Sequence, residues 1–248
     1  MEKGKTTRKK SFAQGYNFYK IVWLFVIGAF LGDIVETVFC RITMGWWMSR
    51  SSVLYGPFSV VWGFGVVLLS GILYRFKRED LWKIFLTGTL LGGVYEYICS
   101  IFTENVFGAK FWNYSKIPLN IEGRINVIFC LFWGVIAILW VRYLYPILSG
   151  KIEQIPSKIG KPLTWCLAIF MIVNMALSSF ALNRAYERHL EIPAQSAIER
   201  FLDRNYQDEK IKEIYPLLKF VEGKTESTVS SDENSEKEYS SVESAGKS

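Results

Sequence analysis

Apolar residues gather into five long blocks, at about residues 21–39, 53–74, 84–102, 125–144 and 163–182, with short polar segments between them. Each block is close to the ~20 residues with which a helix crosses a hydrocarbon core. The pattern predicts an all-α, polytopic membrane protein of about five transmembrane helices. The basic opening MEKGKTTRKK is not read as the start of a signal peptide. The apolar stretch that follows is too long for a signal-peptide core and lacks a small-residue cleavage site, so block one is expected to be a retained span.

Inside the blocks a pattern recurs. GAFLGDIVE occupies positions 28–36 and GTLLGGVYE positions 88–96, sharing the frame G-x-x-L-G-x-x-x-E. The offset divides the first four spans into two hairpins. Each unit crosses twice, so the copies point the same way, related by an axis roughly along the membrane normal. The likeness extends to the following loops, MGWWMSRS against FGAKFWNYSK and LYGPF against IEGRI. Gly28 with Gly32, and Gly88 with Gly92, strip one helix stripe of side chains and let another backbone approach. They are expected to pack spans one and three together, or each span against its own hairpin partner.

Glu36 and Glu96 lie one helical turn beyond the second glycine of each pair and share its face. A charged acid inside a span costs on the order of 3 kcal/mol and needs a partner or water. The available cations on that side are Arg50 and Arg124, one per repeat. With Tyr55, Asn113, Tyr114 and Asn120 nearby, they predict a substrate-binding polar cluster around the quasi-twofold axis; alternatively, the same groups only staple loops to helix ends. Asp33 is a third acid, absent from the second copy. No catalytic residue and no metal-ligand set is expected.

Lys and Arg are dense in the N-terminal arm and the second and fourth loops, and sparse in loops one and three. This places the N-terminus in the cytoplasm and, with five spans, the C-terminal segment outside a bacterial cell membrane. Arg184 and Arg188, just after the last span, run against that assignment. The formal charge of +6 is explained by the inward loops, so it implies no nucleic-acid partner. Cys40, Cys99, Cys130 and Cys166 have no C-x-x-C spacing and read as small apolar residues, with a Cys40–Cys99 disulfide as the alternative. Trp46, Trp47, Phe107, Phe111, Trp112 and Tyr114 make loops one and three aromatic, as an interfacial belt or as segments folded over the cluster. Gly56-Pro57 favours a turn at the start of span two.

The expected organisation is a basic arm at 1–17, a duplicated four-helix core at 18–147 with repeats about 18–76 and 78–147, and a cytoplasmic loop and fifth span at 148–182. An amphipathic segment follows at 183–222 and a disordered Ser-, Glu- and Lys-rich tail at 223–248. In the amphipathic segment, Ile198, Phe201 and Leu202 share one helix face and Ile211, Ile214 and Tyr215 another. These pieces lie on the membrane or dock on the same chain. His189 reads as an exposed interfacial side chain.

SRSSVLYGPFSVVWGFG, EYICSIFTENVFGAKFWNYS and LNIEGRIN together resemble the bacterial family called "putative ABC-transporter type IV", the CmpB-type ABC transporter permeases. The family pattern LYGP, GFG, EY-x-x-S, FG-x-x-x-W-x-YS and N-x-x-GRI falls on Leu54–Pro57, Gly63–Gly65, Glu96–Ser100, Phe107–Ser115 and Asn120–Ile125. The chain departs at Ser51 and Ser52, where the family tends to Gly, at Asp33 for Trp, and at Asn113 for Asp. The resemblance implies a transport permease and a separate nucleotide-binding subunit. This chain carries no G-x-x-x-x-G-K-S/T loop of its own.

Three functions follow. The first is a permease-like carrier whose Glu36, Glu96, Arg50 and Arg124 cluster takes the solute, dimerising because five spans are few for alternating access. The second is a membrane scaffold or envelope-lipid protein in which the cluster is structural. The third, an intramembrane enzyme, lacks a Ser/His pair and is disfavoured. The bilayer is the one certain partner of all three, and no cofactor is expected.

Overall fold

The structure is a computed structural model that describes residues 11–76 and 78–221. Residues 1–10 of the basic arm, Lys77 and the expected disordered tail lie outside the described residues. The elements in order are α1 (Phe18–Met44), α2 (Val60–Leu73), α3 (Leu81–Phe107), β1 (Ala109–Lys110), β2 (Asn120–Ile121), β3 (Ile125–Asn126), α4 (Val127–Leu139), α5 (Tyr145–Gln154), α6 (Ser157–His189), α7 (Ala197–Asn205), α8 (Asp208–Ile214) and β4 (Lys219–Phe220). α4 and α5 join through a π-helical turn at Trp140–Leu144, so Val127–Gln154 is one apolar helix.

Among the described residues, four helices are long and apolar enough to cross a membrane: Phe18–Met44, Leu81–Phe107, Val127–Gln154 and Ser157–His189. Within their apolar windows only about a third of the residues are buried in the protein. Leu90, Ile98, Ile169 and Ile172 face outward, as suits helices whose solvent is lipid. α2 is shorter, 14 residues. The apolar run from 53 reads as one span, but its first part is a non-helical segment, with Val53 and Ser59 buried and Tyr55–Pro57 exposed. Gly56, at φ 82°, turns the chain there. The freed backbone groups find side-chain partners on α6: the Leu54 N–H donates to Ser178 (2.9 Å), the Tyr55 N–H donates to Asn174 (3.2 Å), and the Tyr55 carbonyl accepts from the Asn174 amide (2.7 Å). Irregular backbone at this depth requires such partners.

The helix also continues where a cytoplasmic loop is expected after residue 148. Pro146 would otherwise clash with the carbonyl one turn back; the wide turn just before it lets α4 run on into α5. Fully buried Lys20 fastens the first span to α5, donating to Glu153 (2.6 Å) and to the Ser149 carbonyl (3.2 Å).

α1 pairs with α2 and α3 with α4, and the glycines supply the close approach. Gly28 stands against Val66 and Gly32 against Trp62, while Gly88 stands against Ala137 and Gly92 against Trp133. Of the two packings expected for these glycines, each lies against its own hairpin partner. α6 packs on the first hairpin, with the Trp23 indole donating to Thr164 at 2.9 Å.

The loops after α1 and α3 and the segment after α6 meet at one end of the bundle. A capping box at Ser196 and Glu199 starts α7. Leu202, Tyr206, Ile211 and Tyr215 then bury against Ala181, Leu182 and Ala185 of α6. Of the faces expected from the sequence, Leu202 and Ile211 turn inward, whereas Ile198 and Phe201 stay exposed. β4 pairs antiparallel with β1, Ala109 opposite Phe220. The tail segment therefore docks on its own chain.

Candidate functional site

The two hairpins build the same local device. The space left by Gly32 admits the Trp62 ring, whose indole N–H donates to one oxygen of Glu36 at 2.9 Å. The space left by Gly92 admits Trp133, whose indole N–H donates to Glu96 at 3.2 Å. The two indoles meet at the centre, ring centroids 5.2 Å apart and tilted by 34°. The Tyr95 hydroxyl, donating to the Val61 carbonyl at 2.7 Å, ties one hairpin to the other.

The acids differ in their second partner. The other Glu36 oxygen pairs with Arg50 Nε at 3.1 Å. Glu96 is only 8% exposed and accepts from the Tyr114 hydroxyl at 2.7 Å. Burial, and next the Glu96 carboxylate beside it, push the Tyr114 hydroxyl far above its ordinary pKa, so it remains a donor.

Both acids open onto one cavity of about 370 Å³. Its walls come from α1, α2, α3, α4 and α6, and the segment Ile214–Leu218 covers it from the end. Tyr215 in that cover is buried, its hydroxyl donating to the Ser52 carbonyl at 3.3 Å. Ser49–Val53 of the first loop completes the rim.

Of the eight residues expected in the polar cluster, Glu36, Arg50, Glu96 and Tyr114 line this cavity. The other four build its surroundings. Arg124 pairs with Glu104 at 2.5 Å and Glu122 at 3.4 Å, and does not reach Glu96. Glu104, two turns beyond Glu96 on α3, takes the guanidinium first. Tyr55 shares a hydroxyl hydrogen bond with Tyr206 at 2.8 Å. Asn113 Oδ1 accepts from the Ser115 N–H, and Asn120 Oδ1 from the Gly123 N–H, so both shape the turns of the α3–α4 loop. Asp33 is buried but lies in a separate, shallower recess with Thr37, Trp47 and Met48.

A family model described as putative ABC-transporter type IV matches residues 23–179, taking in both hairpins and most of α6. The chain belongs to this family. It is a multi-pass membrane protein of transporter type. No curated protein and no solved structure matches it. The family match carries no residue roles, so the site rests on geometry. Both glutamates, which stand inside the matched region, line one cavity.

Trp62, Trp133 and Glu104 were not among the expected site residues. A signal for the first two exists: Trp-Gly occurs at 62–63 and again at 133–134, once in the second helix of each hairpin. The glycine of each dipeptide stands on the facing helix, Gly63 on Phe25 and Gly134 on Phe85. The four cysteines are free, Cys40 buried and Cys166 exposed. His189 is exposed and stacks on Phe220 at 5.0 Å.

Proposed function

We propose that the chain is a permease-like component of a transport system, with the cavity between the hairpins as its solute site. The observation that carries this reading is that Glu36 and Arg50 from one hairpin and Glu96 from the other face a single cavity. Acids kept inside a membrane protein are costly unless they are paired or hydrated, and where they stand at a repeat interface they mark solute or ion sites. By the charge count of the loops, the cavity lies in the outer half of the membrane and its cover is extracytoplasmic. Arg184 and Arg188 do not weigh against that side, because Asp203, Glu187 and Asp208 neutralise them within the same segment. Residues Ile214–Leu218 then act as the cover through which solute passes. A second copy of the chain, or a separate nucleotide-binding subunit, supplies what one bundle lacks for alternating access.

A non-transport scaffold that contacts envelope lipids is the second reading. It draws on Trp46 and Trp47, which are 50% and 65% exposed at the same end. Uptake of a solute panel into proteoliposomes separates the two. On the permease reading the wild-type protein takes up one solute class, and Glu36→Gln and Glu96→Gln each abolish uptake at unchanged protein content. Uptake that survives both substitutions contradicts the reading.

A further inference from the structure

The charges around the cavity do not balance among themselves. Three charged residues line it: Glu36, Arg50 and Glu96. Arg50 is committed to Glu36 at 3.1 Å. Glu96 receives only neutral donors, the Tyr114 hydroxyl at 2.7 Å and the Trp133 indole at 3.2 Å. A carboxylate held this far from water keeps its charge at low cost only beside a positive charge. Among the described residues, no second cation lines the space.

Aromatic rings make up much of the remaining wall. Trp62, Phe64, Phe102, Trp112, Tyr114 and Trp133 all line it. Ring faces carry negative electrostatic potential and attract cations, most strongly where water is excluded. An anion entering here would meet Glu96 and find the one guanidinium already paired. A neutral solute would leave Glu96 without a counter-charge. The volume of about 370 Å³ lies at the small end of small-molecule sites and suits a small solute.

We propose that the cavity binds a small organic ammonium ion with apolar substituents. Its charge lies beside Glu96, between the ring faces, and its apolar part lies along the phenylalanines toward Leu217 and Leu218 of the cover. The proposal rests on the solute-site reading above and names the chemistry of that solute.

The test uses the full chain in lipid nanodiscs and three probes of similar size: benzyltrimethylammonium, benzyl alcohol and benzoate. Saturable binding is read by calorimetry against empty nanodiscs. The expected result is that the cation binds about ten-fold more tightly than either other probe, a difference of about 1.4 kcal/mol. Glu96→Gln is expected to remove that margin, with the variant's cooperative thermal unfolding reporting that it is folded. Arg50→Gln, which frees the charge of Glu36, is expected to shift affinity the other way and widen the margin. If benzyl alcohol or benzoate binds as tightly as the cation, the ammonium assignment is overturned and the cavity remains a solute site. If none of the three binds saturably, the solute-site reading falls with it.

Discussion

Trp133 lies over Gly92 and donates its indole N–H to Glu96 at 3.2 Å, so a missing side chain at one position fixes the donor for an acid one turn further on. Gly92→Ala places a methyl group against that ring, and Gly32→Ala does the same to Trp62. Each is expected to cost about 1–3 kcal/mol through overpacking. Gly150→Ala in α5, where a Cβ meets nothing, is expected to be neutral or to stabilise by up to about 1 kcal/mol. Thermal unfolding in detergent, followed for all three variants, checks the contrast.

Arg50 and Arg124 are the cations, one per repeat, expected beside the two acids, yet only Arg50 lines the cavity. Arg124 is held by Glu104, with Ser100 accepting at 3.2 Å, and its carbonyl accepts from the Trp112 indole at 2.9 Å. Arg124→Gln is therefore expected to loosen the α3–α4 loop and lower the unfolding temperature without changing solute affinity. Arg50→Gln is expected to change affinity. Paired binding and melting measurements on the two variants distinguish the roles.

The cover has its own pH sensitivity. The Arg184 guanidinium grips both oxygens of Asp203, at 2.8 and 3.0 Å, and holds its pKa below the ordinary 3.8, with Arg188 adding to the effect. A depressed carboxylate pKa contributes stability that is complete above the unfolded value and lost as pH falls through the folded one. Docking of α7 and α8 is thus expected to hold above about pH 4 and to weaken below it. Asp203→Asn is expected to weaken docking at neutral pH and to flatten that dependence. Hydrogen exchange of the Leu202–Tyr215 amides across this pH range measures both.

Much of the architecture is legible in the sequence. The glycine-acid frame identifies the hairpins and places Glu36 and Glu96 on inward faces. Hydropathy, however, cannot tell helix from irregular chain. Residues 53–59 are apolar enough to be read as a span, but their backbone partners, Asn174 and Ser178, lie more than a hundred residues away. Spacing likewise pairs Arg124 with Glu96 by symmetry, because nothing local reveals that Glu104 lies nearer. The π turn at Trp140–Leu144 is tied to one proline and to packing, and periodicity does not register it.

A two-residue ladder ties the chain just after the cover to the end of α3. Ala109 and Phe220 are directly opposed in β1 and β4. In a background without Cys40, Cys99, Cys130 and Cys166, the pair Ala109→Cys/Phe220→Cys is expected to form a disulfide under mild oxidant. With Ile214–Leu218 held in place, solute exchange is expected to slow, and to recover on reduction. Binding kinetics before and after reductant test this.

The most direct measurement is cross-linking across the hairpins. Trp62 and Trp133 meet at 5.2 Å, and the acids they serve face one cavity, whereas Leu90 on α3 is 69% exposed toward lipid. In the cysteine-free background, a short bis-thiol reagent is expected to join Glu36→Cys to Glu96→Cys and to leave Glu36→Cys/Leu90→Cys unlinked. Failure to join the first pair, or efficient joining of the second, contradicts a shared polar centre between the two hairpins.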